Sequence, residues 1–374
     1  MHDAWPPPLQ HARSLILAHG WNTTAYQLLN PGFVLWFSAR GDALVGYARH
    51  AGVRVVGGAP VCAPERLAAV TAEFEKDAAR ARERVCYFGA EARLEQLLHD
   101  SPAHARVCLG AQPVWRPGTL GKTMRGRPSL RAQLNRARNK GVRVVERDAA
   151  AARQDAALRR ILHEWLATHG LPTLHFLVEP ETFDRLGDRR VFVAERGGEA
   201  VAFLVLAPVP ARNGWLTEQF VRGRGSPNGT VELLLAAAAA AVAADGAEYF
   251  TLGLAPLSRR GVQAADAGVP LWLRLTLAWV RAHGRRFYDF DGLDAFKAKF
   301  QPERWEPVYA IARGLAFPPR ALYAIAGVFG GRAPAGLVAT ALVRAAQTEL
   351  RRWRAHRPHE SHKPPSPGAQ AAAG

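Results

Sequence analysis

Cysteine is scarce in this sequence, and its three cysteines do not form a recognisable set. Cys62, Cys86 and Cys108 are odd in number, widely spaced and set among apolar neighbours. No CxxC pair occurs, and no group of histidines and cysteines has the spacing of a zinc site. This excludes a disulfide-stabilised secreted domain. It predicts small core residues in a reducing compartment, with no metal bound.

Long apolar runs and targeting signals are also missing. No window reaches ~18 uninterrupted apolar residues, so no transmembrane helix is predicted. The first ten residues contain Asp3 and three consecutive prolines, where a signal peptide would have a basic start and an apolar stretch. We therefore expect a cytoplasmic protein, soluble or peripheral at the inner face of the cell membrane.

Acidic residues are absent between Asp100 and Glu146. That interval carries ten basic residues: Arg106, Arg116, Lys122, Arg125, Arg127, Arg131, Arg136, Arg138, Lys140 and Arg143. The whole chain has 49 Lys+Arg against 32 Asp+Glu, a formal charge of +17. Such an excess favours polyanionic partners, either nucleic acid or anionic lipid. The alternative is a composition in which arginine is simply the common solvated cation.

A helix is predicted inside the basic interval. Pro128 suits a first helical turn and Gly141 a C-terminal cap, which places the helix at 129–140. An apolar stripe would anchor it, formed by Leu130, Leu134 and Ala137. The candidate phosphate-binding residues are Arg127, Arg131, Arg138 and Lys140, whose cations favour phosphate by charge and hydrogen bonding. A merely solvated basic face is the alternative, but ten like charges repel each other.

The order of predicted elements indicates an α/β protein with mixed sheets, built from two successive units of similar order. Strands are expected at 33–37, 43–49, 53–56, 85–88 and 106–109, and in the second unit at 190–195, 200–208, 215–221, 250–254, 287–290 and 307–312. Helices are expected at 64–84, 92–98, 158–168 and 230–244. The predicted divisions are an N-terminal extension at 1–20, a first domain at 21–112, a basic connector at 113–145, a second domain at 146–317, an amphipathic C-terminal helical segment at 318–356 and a disordered tail at 357–374.

The C-terminal segment has two interpretations. Short apolar runs at 322–329 and 337–343 are punctuated by arginines and broken by glycines and a proline. Such a segment could lie on anionic lipid. It could equally be a helical hairpin packed on the second domain.

Two motifs could carry chemistry. At 218–232 a strand ends in Arg222, a turn with Asn228 follows, and a helix begins at Thr230, presenting free N–H groups to an anion. At 287–302 a short helix should end near Ala298, because Gln301-Pro302 prevents its continuation. Lys297 and Lys299 then lie at its end. No nucleophile triad or glycosidase-like carboxylate pair is evident, so chemistry here would depend on positioning and electrostatics.

These segments resemble the C-terminal catalytic region of phosphatidylglycerol lysyltransferases, also called multiple peptide resistance factors. The resemblance runs from about residue 21 to 313. Its most specific parts are 129–141, Arg222 with Pro227-Asn228-Gly229, the run at 252–257, and 292–302. It implies two tandem GNAT-type acyltransferase folds joined by a basic helix that binds tRNA. It also implies transfer of an amino acid from aminoacyl-tRNA, the co-substrate, to a hydroxyl of an anionic membrane lipid or another acceptor, with no cofactor.

The chemistry of aminoacyl transfer suggests hypothetical roles for individual residues. Arg222, Lys297 and Lys299 are candidates for catalysis, through the terminal tRNA phosphates or the developing charge. The substrate-binding candidates are Glu218, for the α-ammonium, Asn228, for the ester, and Asp291. Gln219 stands where relatives usually place an aspartate, and Ala59 replaces a common acidic residue. An acyl-CoA-dependent N-acyltransferase and a non-catalytic RNA- or lipid-binding module remain alternatives.

Overall fold

The chain folds around a mixed sheet in a computed structural model, which describes residues 5–168, 176–178, 183–260, 273 and 290–330. All of these lie within one unit, Met1–Gly331. The strands are β1 Val34–Phe37, β2 Leu44–His50, β3 Val53–Gly57, β4 Arg84–Ala90, β5 His104–Trp115, β6 Val142–Arg147, β7 Arg190–Arg196, β8 Glu199–Val209, β9 Gly214–Arg222, β10 Tyr249–Thr251, β11 Ala255–Pro256 and β12 Arg304–Arg313.

The twelve described strands form one continuous sheet. Their order is β1-β2-β3-β4-β12-β5-β10-β9-β8-β7-β6, and β11 pairs with β5. Two neighbouring pairs are parallel, β3 with β4 and β9 with β10, and the others are antiparallel. The last strand along the chain, β12, lies between β4 and β5, near the centre of the sheet.

Ten helices are described: α1 Pro7–His19, α2 Leu67–Arg80, α3 Ala92–Leu98, α4 Pro117–Gly126, α5 Pro128–Asn139, α6 Ala149–Gln154, α7 Ala156–Thr168, α8 Thr230–Ala244, α9 Phe290–Ala298 and α10 Pro319–Gly330. Parallel neighbours need a crossover, and each parallel pair has a helical one. The helix α2 connects β3 to β4, and α8 connects β9 to β10. The similar order predicted for the two halves is therefore present in the sheet. That each half is a GNAT-type fold stays a prediction.

The parallel pair β9 and β10 separates after three residues. Tyr249–Thr251 pairs with the first residues of β9, as far as Leu216. The next strand along the chain, β11, pairs with β5 and not with β9. The remainder of β9, up to Arg222, keeps β8 as its neighbour. The two central strands thus diverge, and this divergence positions the candidate site.

The helices α4, α5 and α8 share a core on one face of the sheet. Leu120 and Met124 of α4, together with Leu130 and Leu134 of α5, pack with Trp115 at the end of β5. The predicted helix at 129–140 is thus confirmed as α5, and its apolar stripe is buried. The prediction for 230–244 matches α8 in both bounds.

Other expectations need correction. The strand expected at 287–290 is wrong at Phe290, which begins α9, and the other three residues lie outside the described part. The strand expected at 106–109 is longer, His104–Trp115, and crosses the boundary proposed at 112. The extension proposed at 1–20 contains α1, whose Ala12 and Ile16 are fully buried.

The C-terminal segment is described only in part. Within 318–356, α10 packs against β2 and β3 through the buried side chains Ala321, Ala324 and Ile325. An interfacial position on lipid does not fit these residues, because their apolar face is covered by the protein. Residues 331–374, including the predicted tail, lie outside the described part. No described helix is long and apolar enough to cross a membrane.

Candidate functional site

Lys297 is a buried lysine at the point where β9 and β10 diverge. Its residue is 3% exposed, and its Nζ donates hydrogen bonds to the backbone oxygens of Gly253 and Leu254, both at 2.8 Å. Burial lowers the pKa of the Lys297 amine to about 7, and the charge of Asp294 opposes part of that shift. The site thus holds an amine whose charged and neutral forms are both accessible near neutral pH.

Lys299 lies beyond the end of its helix, as expected, because α9 ends at Ala298. Its Nζ is 2.5 Å from Oε1 of Glu232 in the first turn of α8. The same amine lies over the rings of Phe296 and Phe300, at 4.2 and 5.0 Å from their centroids. Lys297 and Lys299 thus contact different partners in this structure.

The segment after α9 is held by two neighbouring elements. Nε1 of Trp115 donates to the backbone oxygens of Phe300 and Gln301, both at 3.1 Å. Arg127, at the start of α5, donates from Nη1 to the backbone oxygen of Lys299 at 3.0 Å. One predicted tRNA-binding residue therefore contacts the backbone of a predicted catalytic residue directly.

The helix α5 also contacts the turn that precedes α8. Gly229, the residue before α8, has a φ of +93°, and a Cβ added there would lie 2.1 Å from the backbone oxygen of Gln133. Only glycine fits this close approach of two backbones. Arg222, the last residue of β9, and Asn228, within the same turn, are both exposed. The basic helix, this turn and the end of α9 form one neighbourhood.

The outer face of α4 and α5 is positively charged. Within the described residues, no ion pair neutralises its basic side chains, which are Lys122, Arg125, Arg127, Arg131, Arg136, Arg138 and Lys140. Six of the seven are exposed, and Arg127 is half-buried. Elsewhere in the described chain many arginines have carboxylate partners, for example Arg54 and Arg190. The unpaired face is suited to a polyanion.

Glu218 has a partner within the protein that its position in the 218–232 motif does not indicate. Both of its carboxylate oxygens accept hydrogen bonds from Arg189, at 2.5 and 2.8 Å, and the two side chains are 3% and 0% exposed. Arg189 also donates to Oδ1 of Asn30 at 2.9 Å. The carboxylate expected to bind an α-ammonium is thus already paired. The structure thus shows Glu218 as the partner of a buried arginine, and its assignment as a substrate-binding residue stays a prediction.

Three participants were not predicted as site residues: Trp115, Glu232 and Arg189. Glu232 lies within the 218–232 motif, but nothing local indicates that Lys299 is its partner. The stacked rings of Phe220 on β9 and Phe296 on α9, 5.7 Å apart, further connect the two motifs. Asp291 lies in the first turn of α9. The described residues hold no cluster of His, Cys, Asp and Glu that could bind a metal ion.

Comparison with known proteins adds the family context. The family model described as "Phosphatidylglycerol lysyltransferase, C-terminal" matches residues 13–312. A phosphatidylglycerol lysyltransferase of Bacillus subtilis is 28% identical over 282 residues, which cover 74% of this chain and 32% of the relative. The lysylphosphatidylglycerol biosynthesis bifunctional protein LysX of Mycolicibacterium gilvum is 27% identical over 301 residues, covering 76% and 26%. The chain thus spans about a third or less of these relatives.

Solved structures show the same fold. The C-terminal domain of a putative lysylphosphatidylglycerol synthetase from Agrobacterium fabrum superposes with a TM-score of 0.72 at 22% identity, covering 87% of this chain and 97% of that one. The structure of L-PGS from Bacillus licheniformis gives a TM-score of 0.69 at 22% identity, with coverage of 83% and 92%. At this identity the similarity establishes the fold of the described core.

Proposed function

Because the chain belongs to the phosphatidylglycerol lysyltransferase C-terminal family, we propose that it transfers an amino acid from aminoacyl-tRNA to a hydroxyl group of phosphatidylglycerol. One observation carries this proposal. The unneutralised basic helix α5 is in direct contact with the segment that bears the two lysines, through Arg127 and the backbone oxygen of Lys299. A tRNA bound along α5 would therefore have its acceptor end close to the buried amine of Lys297.

The proposed chemistry needs positioning more than activation. An aminoacyl ester is already reactive, so no covalent enzyme intermediate is required. The enzyme has to hold the ester and the acceptor hydroxyl in near-attack geometry and stabilise the developing oxyanion. In our proposal Arg222 and Lys299 bind the terminal tRNA phosphates, Asn228 orients the ester, and Lys297 faces the reacting centre. Asp291 stays a candidate for substrate binding.

The two predicted GNAT-type folds would have different roles in this reaction. The half with β7–β10 and α9 would carry the chemistry, with the basic helix α5 as its tRNA contact. The acceptor lipid would bring the chain to the inner face of the membrane as a peripheral protein. The fold, the basic face and the family membership support this arrangement.

The central experiment measures the transferred product. The full chain is incubated with tRNA charged with one labelled amino acid at a time and with vesicles containing phosphatidylglycerol, and the lipids are then separated by chromatography. We expect a labelled lipid whose formation stops when the tRNA is deacylated. Parallel vesicles of phosphatidylcholine alone control for the acceptor. Transfer from labelled acetyl-CoA, with none from any aminoacyl-tRNA, would overturn the proposal.

A binding experiment tests the role of α5 separately. Replacing Arg131, Arg138 and Lys140 together by glutamine should weaken tRNA binding and reduce the slope of log affinity against log salt, by roughly 0.7–0.9 for each phosphate that the variant no longer binds. The matched control replaces three exposed arginines on the other half, Arg40, Arg80 and Arg84. An unchanged slope in the α5 variant, or an equal change in both variants, would exclude α5 as the tRNA-binding helix.

A further inference from the structure

The hydrogen bonds of Lys297 suit two protonation states. Its Nζ has two backbone acceptors, the oxygens of Gly253 and Leu254. A neutral amine has two N–H groups and one lone pair, whereas an ammonium has three N–H groups. The neutral form can therefore donate to both carbonyls and keep its lone pair available. Gaining a proton adds a third donor without breaking either bond.

Among the described residues, no charged group holds Lys297 in the protonated state by a direct ion pair. The charged groups on the surrounding elements are Asp291 and Asp294 on α9, Arg259 and Arg260 after β11, Glu218 and Arg222 on β9, and Glu232 on α8. No carboxylate of the described residues is within ion-pair distance of its Nζ. Asp294, which acts on Lys297 electrostatically, is itself bonded to Ser258 at 2.5 Å and Arg260 at 2.7 Å. Burial is thus the dominant influence, and it favours the neutral amine.

The residue type supports the same interpretation. Six of the 49 basic residues in the chain are lysines, and the others are arginines. Arginine keeps its proton at any physiological pH, while a buried lysine can release it. If position 297 needed only a permanent positive charge, arginine, which is the usual basic residue of this chain, would provide it. The lysine at this 3% exposed position can release its proton, which an arginine cannot do.

We propose that Lys297 carries the proton of the transfer reaction, an inference that rests on the proposed function. As the acceptor oxygen bonds to the ester carbonyl carbon, the hydroxyl proton moves to the lone pair of Nζ. The resulting ammonium lies next to the oxyanion of the tetrahedral intermediate. When the bond from that carbon to the terminal ribose oxygen of tRNA breaks, the ammonium returns the proton to this oxygen. The products are the aminoacyl ester of the acceptor and deacylated tRNA, and Lys297 is neutral again.

The first test measures the titration of Lys297 without any transfer. The full chain is labelled with lysine carrying ¹³Cε and ¹⁵Nζ, which gives six lysine signals, and each is followed by NMR between pH 5 and 11. One signal, missing in the Lys297→Met variant, should titrate near pH 7, about three units below an ordinary lysine amine. Lys76, which is exposed on α2, provides the reference signal. Titration of Lys297 in the range of an ordinary lysine amine, about pH 10, would overturn the proposal.

The second test separates a proton carrier from a fixed cation. The single-turnover rate of wild-type transfer should fall about tenfold per pH unit below neutrality, because the ammonium has no lone pair to accept the proton. A fixed cation would give the opposite result, a rate that falls as the amine loses its charge at higher pH. Hydrolysis of aminoacyl-tRNA without enzyme is subtracted at every pH. A wild-type profile that falls only on the alkaline side contradicts the proton role.

Substitution provides the last discrimination. Lys297→Arg keeps a cation but cannot accept a proton, so it should be as slow as Lys297→Ala, with a loss of roughly 10²–10⁴-fold. Lys76→Arg is the matched control and should transfer at the wild-type rate. An arginine variant with more than about a tenth of wild-type activity would refute the proton role. Absence of transfer by the wild-type protein would instead refute the proposed function. If either variant does not fold, the NMR titration and the wild-type pH profile still decide.

Discussion

Replacing Glu218 by glutamine tests whether its carboxylate stabilises the fold or binds substrate. The change removes the carboxylate charge that pairs with the guanidinium of Arg189, while it keeps the size of the side chain. Both side chains are nearly inaccessible, at 3% and 0% exposure, so water cannot take over the role of the missing charge. The guanidinium keeps neutral partners, which are the backbone oxygen of Arg185 at 2.7 Å, Oδ1 of Asn30 at 2.9 Å and the ring of Tyr26.

The expected cost is large because the guanidinium stays buried after the carboxylate that pairs with it has lost its charge. Breaking such a pair typically destabilises a protein by about 3–5 kcal/mol, out of a total stability of roughly 5–15 kcal/mol. Urea unfolding followed by circular dichroism measures this difference. Glu199→Gln, at an exposed glutamate on β8, is the control and should change the free energy of unfolding by less than about 0.5 kcal/mol.

A double variant completes the test. Arg189→Met with Glu218→Leu removes both charges and fills the space with apolar groups, so it should recover most of the stability that Glu218→Gln alone removes. If Glu218→Gln instead costs under about 1 kcal/mol and raises the KM for aminoacyl-tRNA, the reasoning is refuted. The carboxylate would then be serving the substrate, as its position in the 218–232 motif first suggested.

Three further predictions concern other buried positions, Lys297, Gly229 and Cys86. Between pH 7 and 10.5 the unfolded chain binds the Lys297 proton and the folded chain does not, so wild-type stability relative to Lys297→Met should rise by about 5 kcal/mol over this window, measured by urea unfolding at each pH. Gly229→Ala should destabilise the fold and weaken tRNA binding, because its Cβ would displace the backbone of α5 at Gln133; Gly197→Ala, also at positive φ but in open space, controls for backbone strain alone. Burial raises the pKa of the Cys86 thiol to about 12, so iodoacetamide at pH 8 should alkylate it, by mass spectrometry, far more slowly in the folded than in the urea-unfolded protein.

Local sequence signals predicted those helix ends that glycine and proline residues mark. The start of α8 follows Gly229, whose left-handed conformation marks the turn, and α9 ends before Gln301-Pro302. The helix α4 was missed because Pro117–Gly126 contains three glycines, each unfavourable inside a helix. Its buried residues Leu120 and Met124 show that tertiary packing overrides that preference. Local propensity contains no information about such packing.

Long-range pairing was the part that the sequence could not supply. The strand β12 was predicted near its observed position, but not its insertion between β4 and β5. The same limit applies to the site. Basic residue types and a helix end could be predicted for Lys297 and Lys299, whereas the partners of Glu218 and Lys299 lie 29 and 67 positions away along the chain. Charge alone could not indicate which carboxylates are already paired.

The divergence of β9 and β10 explains why a lysine lies at this place. A buried backbone oxygen needs a donor, and within a sheet the neighbouring strand provides it. Gly253 and Leu254 follow the last residue of β10 that pairs with β9, and they precede the pairing of β11 with β5. Their backbone oxygens accept hydrogen bonds from Nζ of Lys297, which thus replaces the donors of a neighbouring strand. The separation of the two strands therefore requires a side-chain donor for these carbonyls. A lysine amine can donate to both carbonyls and, in the proposed reaction, still accept and release a proton. The fold and the proposed chemistry therefore both favour lysine at position 297.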